Sequence, residues 1–175
     1  MTEPAAAQTG KETVVIAFDG SPAARRAVEE AARVFKSSHV LVVTVWEEGL
    51  AYLAASAPTE GMMMSPMVDP GIALEVDRDV HDHAERVSQE GAALARSLGL
   101  DAQPLAIPDQ RDVARTIVTL ADKHRAAAIV VGSRGLSGIR ARLEGSTSKA
   151  LLKHAPCPVV VVHEAEEDRE TRSSQ

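Results

Sequence analysis

Aromatic side chains are nearly missing, at 2 % of the 175 residues. A core stapled by aromatics, as in many β-sandwiches, is therefore excluded, and an interior of Ala, Val, Leu and Ile remains, which suits parallel strands covered by helices. Cysteine is nearly missing too. The lone Cys157 rules out an intramolecular disulfide framework and any multi-cysteine zinc site, and fits a reducing cytoplasm. Positive charge is in deficit, with Lys plus Arg at 19 against Asp plus Glu at 25. A net charge of −6 offers no basic surplus to neutralise phosphates, so no nucleic-acid partner is expected. No apolar run approaches the roughly 18 to 20 residues that span a bilayer. The opening MTEPAAAQTGKET lacks a basic segment followed by an apolar one. These readings predict a cytoplasmic protein without a membrane partner.

What is present is an alternation of short apolar runs and longer stretches of helical period. Apolar residues make up 45 % of a chain whose length fits one domain. Residues 1–12 and 164–175 are too polar to bury much surface and are expected to be disordered tails. Between them, Thr13 to Phe18 and His39 to Val45 read as buried strands. A helix is expected from Pro22 to about Phe35, capped by Ser21, with Ala24, Ala27, Val28, Ala31 and Phe35 on one stripe. A second stripe of Val80, Ala84, Val87, Gly91, Leu94 and Leu98 stops at Gly99. Ala102 to Ile107 is a weaker strand, placed near an edge by Pro104. A helix through Val113 and Ile117, a strand from Ala127 to Gly132, a helix from Ser146 to His154 and a strand from Pro158 to His163 complete the series.

This β-α-β order predicts an α/β fold, a doubly wound five-stranded parallel sheet with helices on both faces. Ligands of such sheets bind beyond the carboxyl ends of the strands, so Asp19, Val45 and Gly132 are expected to meet at one edge. The stretch from about 47 to 76 is too long for an ordinary loop and reads as an irregular insertion carrying Met62 to Met67. It suits a mobile surface segment or a patch on a neighbouring subunit, with a lid or adaptable partner surface as the sharper reading.

Gly132-Ser133-Arg134-Gly135 directly follows the fourth strand, and after nine intervening residues Gly145-Ser146-Thr147 opens a helix. Glycines let successive backbone amides line one concavity, and hydroxyls at a helix N-terminus add to a field that favours an anion. Arg134, Arg140 and Arg142 offer counter-charge in the same segment. The pattern suits phosphate, although the same glycines and cap residues also serve as plain turns and caps.

Gly-x-x-Gly, nine residues, then Gly-Ser ahead of a helix and a proline-led valine strand resembles the ATP-binding signature of the universal stress protein family. AFDGSPAARRAVEEAARV resembles the opening of that family, and the likeness runs over 13–163 apart from the insertion. The resemblance implies strand order 3-2-1-4-5 and a nucleotide site. Asp19 and Val45 would stand on the adenine side and Gly132 against the ribose. Gly135, Gly145, Ser146, Thr147 and Ser148 would hold the phosphates, with Ser133 and Arg134 beside them. It further implies ATP, with or without Mg2+, as the cofactor, and a homodimer paired through the last strand, Val159 to Val162. Two departures stand out. Ala126-Ala127-Ala128 replaces an acidic residue ahead of the fourth strand, and IPDQRDVAR replaces a Gly-x-Pro lead-in to the third helix.

Several competing motifs fall away. GSTSK is no P-loop, because Lys149 comes too late after Gly145. His81 and His83 stand two apart on a helix and point to different faces, so His81-Asp82-His83 reads as a solvated surface without a metal role. Cys157, between Pro156 and Pro158, reads as a packing residue. Asp19 also serves as a helix-start residue, a role that coexists with the first if its backbone faces adenine. Glu144 is the one carboxylate between Gly132 and Ser148, so no paired acidic set or general base is evident there. The expected function is an ATP-binding stress-response regulator with little or no turnover. The alternatives are a slow ATP hydrolase, a nucleotide-free dimeric interaction protein, or a cyclic AMP binder.

Overall fold

The computed structural model describes residues 11–48, 70–109, 112–133 and 146–163, with the backbone alone for 70–74 and 146. Along the chain these form β1 (Thr13–Ala17), α1 (Pro22–Val34), β2 (His39–Trp46), α2 (Pro70–Ser97), β3 (Asp101–Pro108), α3 (Val113–Lys123), β4 (Ala128–Gly132), α4 (Ser146–His154) and β5 (Val159–Val162). All pairings are parallel, and the sheet runs β3-β2-β1-β4-β5. The expected α/β architecture and strand order are therefore observed.

The valine-rich strands have no polar alternation because both faces of the sheet are covered. Val14, Ile16 and Phe18 of the first strand and its continuation pack on α1 and α2. Val15 and Ala17 face the other way, toward α3 and α4. Alanines line α1 at positions 24, 27 and 31, which lets the helix sit close to Val130 and Val162 without aromatic filler. On the opposite face Ile117, Leu120 and Ala121 of α3 and Leu151 of α4 cover Leu41, Ile129 and Val131. Cys157 packs at the margin of this second core, and burial pushes its thiol pKa up.

Helix boundaries follow their caps. The Ser21 hydroxyl accepts from the Ala24 amide at 3.1 Å, with Pro22 in the first turn. The Asp112 carboxylate accepts from the Arg115 amide at 2.8 Å, which supplies the start of α3 without the Gly-x-Pro lead-in. Helix α2 ends in a Schellman motif, with Leu100 N–H on Ala95 at 3.0 Å, Gly99 N–H on Arg96 at 3.0 Å, and Gly99 at φ +89°.

Helix α2 differs most from the sequence reading. It begins at Pro70, so 70–76 belongs to a helix rather than to the irregular insertion; Met62 to Met67 lie outside the described residues. Its buried face runs through Ala84, Ser88, Gly91, Ala92 and Ala95, with Val87 and Leu94 of the expected stripe packed beside them, whereas Leu98 lies past the helix end and is exposed. At 28 residues α2 is roughly 42 Å long, against roughly 26 Å for an eight-residue strand. Because it ends beside the start of β3, its first turns project beyond the carboxyl edge of the sheet, and His81 meets Trp46 where helix and edge cross.

Pro104 sits opposite Val42 on the edge strand β3, which leaves its missing N–H on a strand with one unpartnered side. At the amino edge, Lys11 Nζ lies 3.0 Å from Asp101 Oδ2, and His39 Nδ1 lies 3.5 Å from the same oxygen. The Lys11 ammonium holds the Asp101 carboxyl below its ordinary pKa.

Candidate functional site

Parallel register sets which residues share the carboxyl edge. Ala17 pairs with Val43 and Ile16 with Val130. Two steps further along β1 and β2, Asp19 stands level with Val45; Gly132 and Ser133 close β4 on the other side of β1. The three sequence-predicted positions Asp19, Val45 and Gly132 therefore converge at one edge, on neighbouring strands. Val45 packs toward the core under α3.

Each of these residues also has a structural duty. The Asp19 carboxylate accepts from the Ser21 amide at 3.0 Å, which turns the chain from β1 into the Ser21 cap of α1. The cap belongs to Ser21, and Asp19 shapes the turn ahead of it. Thr44, buried, donates its hydroxyl to the Phe18 carbonyl at 2.8 Å and holds β1 and β2 together just below the edge. The Ser133 amide donates to the Val162 carbonyl at 2.7 Å, which ties the end of β4 to the end of β5.

Gly132 has a packing reason of its own. A Cβ there would meet the Ala23 carbonyl carbon at 2.7 Å and its oxygen at 2.8 Å, so only glycine lets the first turn of α1 come down on β4. Arg134, Gly135 and Gly145 lie outside the described residues. Ser146 opens α4; Thr147 is half-buried and Ser148 buried on its first turn. Helix α4 runs back from the carboxyl edge toward the start of β5, so its N-terminus faces the edge that carries Asp19 and Ser133. Chemically, the edge offers backbone groups on the β1 and β2 side and an anion-favouring helix start on the β4 side.

Sequence reading passed over one cluster close by. His81, Asp82 and Glu85 on α2 bring their donor atoms within 4.8 Å of one another. The sequence signal for it is the four-residue spacing of His81 and Glu85, which puts both on one helix face, unlike the two-residue spacing of His81 and His83. Among the described residues, no helix is long and apolar enough to cross a membrane.

Comparison with known proteins agrees with this fold. A universal stress protein of Mycobacterium tuberculosis is 29 % identical over 152 residues, which are 86 % of this chain and 47 % of that protein. The chain thus spans about half the length of that relative. A universal stress protein of Thermus aquaticus is 28 % identical over 86 % of this chain and 98 % of its own. Among solved structures, a universal stress protein from Lactobacillus plantarum superposes with a TM-score of 0.65 at 20 % identity, covering 87 % of this chain and 98 % of that one. A universal stress protein in complex with cAMP gives 0.57 at 23 % identity, covering 89 % and 98 %. A family protein from Arabidopsis thaliana with AMP bound gives 0.58 at 18 % identity, covering 90 % and 94 %. These structures share the fold. Residues 11–163 match the family as a whole, and the chain belongs to the universal stress protein family.

Proposed function

We propose that this protein is an ATP-binding regulator of a cytoplasmic stress response, whose nucleotide load sets its conformation or partners with little or no turnover. The observation that carries the reading is the convergence of Asp19, Val45 and Gly132 with the N-terminus of α4 at one edge of the sheet. From β2 to β4 is two strand spacings, roughly 10 Å, a nucleotide-sized span with an anion-favouring end. In this reading Asp19 and Val45 flank adenine, and Gly132 lies against the ribose. Ser133, Arg134, Gly135, Gly145, Ser146, Thr147 and Ser148 take the phosphates, with Mg2+ as a companion ion. The nucleotide supplies phosphate charge; the chain supplies amides, hydroxyls and a shape that places them.

Low turnover follows from the shortage of acids around the glycine signature, where Glu144 alone offers a carboxylate. The cAMP and AMP complexes among the structural relatives support nucleotide binding and keep cyclic AMP as a second reading. A ligand with one phosphate would leave part of the Gly145 to Ser148 stretch unused.

The test is to denature purified protein and identify any released nucleotide by mass spectrometry, beside a Gly135→Glu variant that places a carboxylate in the glycine loop. ATP in the native sample, absent from a variant with an unchanged circular dichroism spectrum, is the expected result. Cyclic AMP in its place would move the assignment to the second reading. A native sample that is empty and takes up no added ATP would overturn nucleotide binding and favour a nucleotide-free dimer.

A further inference from the structure

The geometry points to a divalent transition-metal site on α2, where it crosses the carboxyl edge, with His81 and Glu85 as ligands and Asp82 orienting the imidazole. His81 Nε2 stands 3.8 Å from Glu85 Oε1, one turn further along the helix. His81 Nδ1 stands 3.4 Å from Asp82 Oδ1. An ionised carboxylate only accepts, so Asp82 favours the tautomer with hydrogen on Nδ1 and leaves the Nε2 lone pair turned toward Glu85. This is the carboxylate–histidine arrangement that sets up a metal ligand.

Two further observations bear on the site. The Nε2 to Oε1 separation is too long for a good hydrogen bond. Donors about 2.1 Å from a shared ion stand roughly 3 to 3.5 Å apart, so a few tenths of an ångström of movement by the half-exposed Glu85 would seat one. The imidazole is already held from the other side: the Trp46 ring meets it edge-on, with centroids 5.3 Å apart and planes at 76°. A ring so braced loses little freedom on binding. Imidazole with carboxylate and open water positions suits zinc, nickel or copper over calcium or magnesium. His83, two residues on, faces elsewhere and takes no part. The site does not depend on the nucleotide reading.

Trp46 is the sole tryptophan and touches the imidazole, so it reports on the site directly. Ni2+ is titrated into the purified chain with the indole excited selectively, and the midpoint of quenching is read. Expected is saturable quenching, reversed by excess Zn2+. His81→Ala and Glu85→Gln should each raise the midpoint at least ~10-fold and Asp82→Asn about 10-fold, while His83→Ala leaves it unchanged. Glu85→Gln preserves the His81 and Trp46 contact, so it separates ligand loss from a changed indole environment. Absence of saturable quenching overturns the proposal, as does a midpoint that survives His81→Ala. A wild-type midpoint in Glu85→Gln also overturns it, since a lone imidazole is not this site.

Discussion

Gly132 carries two explanations at once, and they separate by experiment. The proposed nucleotide reading places it against a ribose; its contacts place it under the first turn of α1, where a methyl group would meet the Ala23 backbone at 2.7 Å. Backbone cannot rotate away as a side chain can. Gly132→Ala is therefore expected to cost about 1 to 3 kcal/mol of stability whether or not nucleotide is bound. Equilibrium urea unfolding of the nucleotide-stripped chain checks this. A variant as stable as the parent would show that α1 shifts freely over β4, and would leave the ribose as the reason for glycine. Loss of binding in Gly132→Ala is thus ambiguous, which is why Gly135 is the better functional probe.

At the scale of elements, the connections that follow α2 and α3 use the same motif with different residues. After α2, Gly99 takes the left-handed position at φ +89°. After α3, Arg125 takes it at φ 48°, with Ala126 N–H on Ala121 at 2.8 Å and Arg125 N–H on Asp122 at 3.0 Å. A Cβ in that conformation costs roughly 1 to 2 kcal/mol, part of which glycine returns through its greater freedom when unfolded. Arg125→Gly is expected to raise stability by up to about 1 kcal/mol, and Gly99→Ala to lower it by about 1 kcal/mol, both read from thermal unfolding. An unchanged or lower melting temperature for Arg125→Gly would mean that the arginine side chain makes a compensating contact. The same pair shows what sequence could and could not disclose. Gly99 announced the end of α2, whereas Arg125 gave no sign of its strained backbone because any residue can be forced there by its neighbours. Continuous apolar runs flanked by turn residues marked four of the strands to within one position, since full burial requires them, while AQPLAI, without a valine, marked the partly exposed edge strand β3. The start of α2 was hidden because Pro70-Gly71 reads as a turn, so the first turns of the helix merge in sequence with the insertion. At the site, the edge residues were legible from spacing; the packing duty of Gly132 and the His81 and Glu85 pair needed coordinates.

For the whole molecule, the sheet has two edges, and they are managed differently. Strand β3 carries Pro104 and a mixed, largely exposed sequence, features that discourage pairing with another chain. Strand β5 is four valines with no proline or charge, and its outer side has no partner strand among the described residues. Val160 is 37 % exposed and Val34 of α1 is 68 % exposed; both line a groove of about 300 Å³ with Phe35 and Val162. A flat valine edge beside this groove, which Arg26, Glu30 and His163 also line, is costly to leave unpaired and matches the homodimer expected through Val159 to Val162. Val160→Lys places a charge in that groove, where the side chain reaches solvent in a monomer but would be trapped between two chains in a dimer. Sedimentation velocity across a concentration series is expected to show a dimer for the parent and a monomer for Val160→Lys. The variant monomer should remain folded by circular dichroism, because the two cores do not depend on the outer side of β5. Dimers that persist in Val160→Lys would place the interface elsewhere on the molecule. A parent that stays monomeric at every concentration would mean that α1 and the groove shield this edge well enough for a single chain.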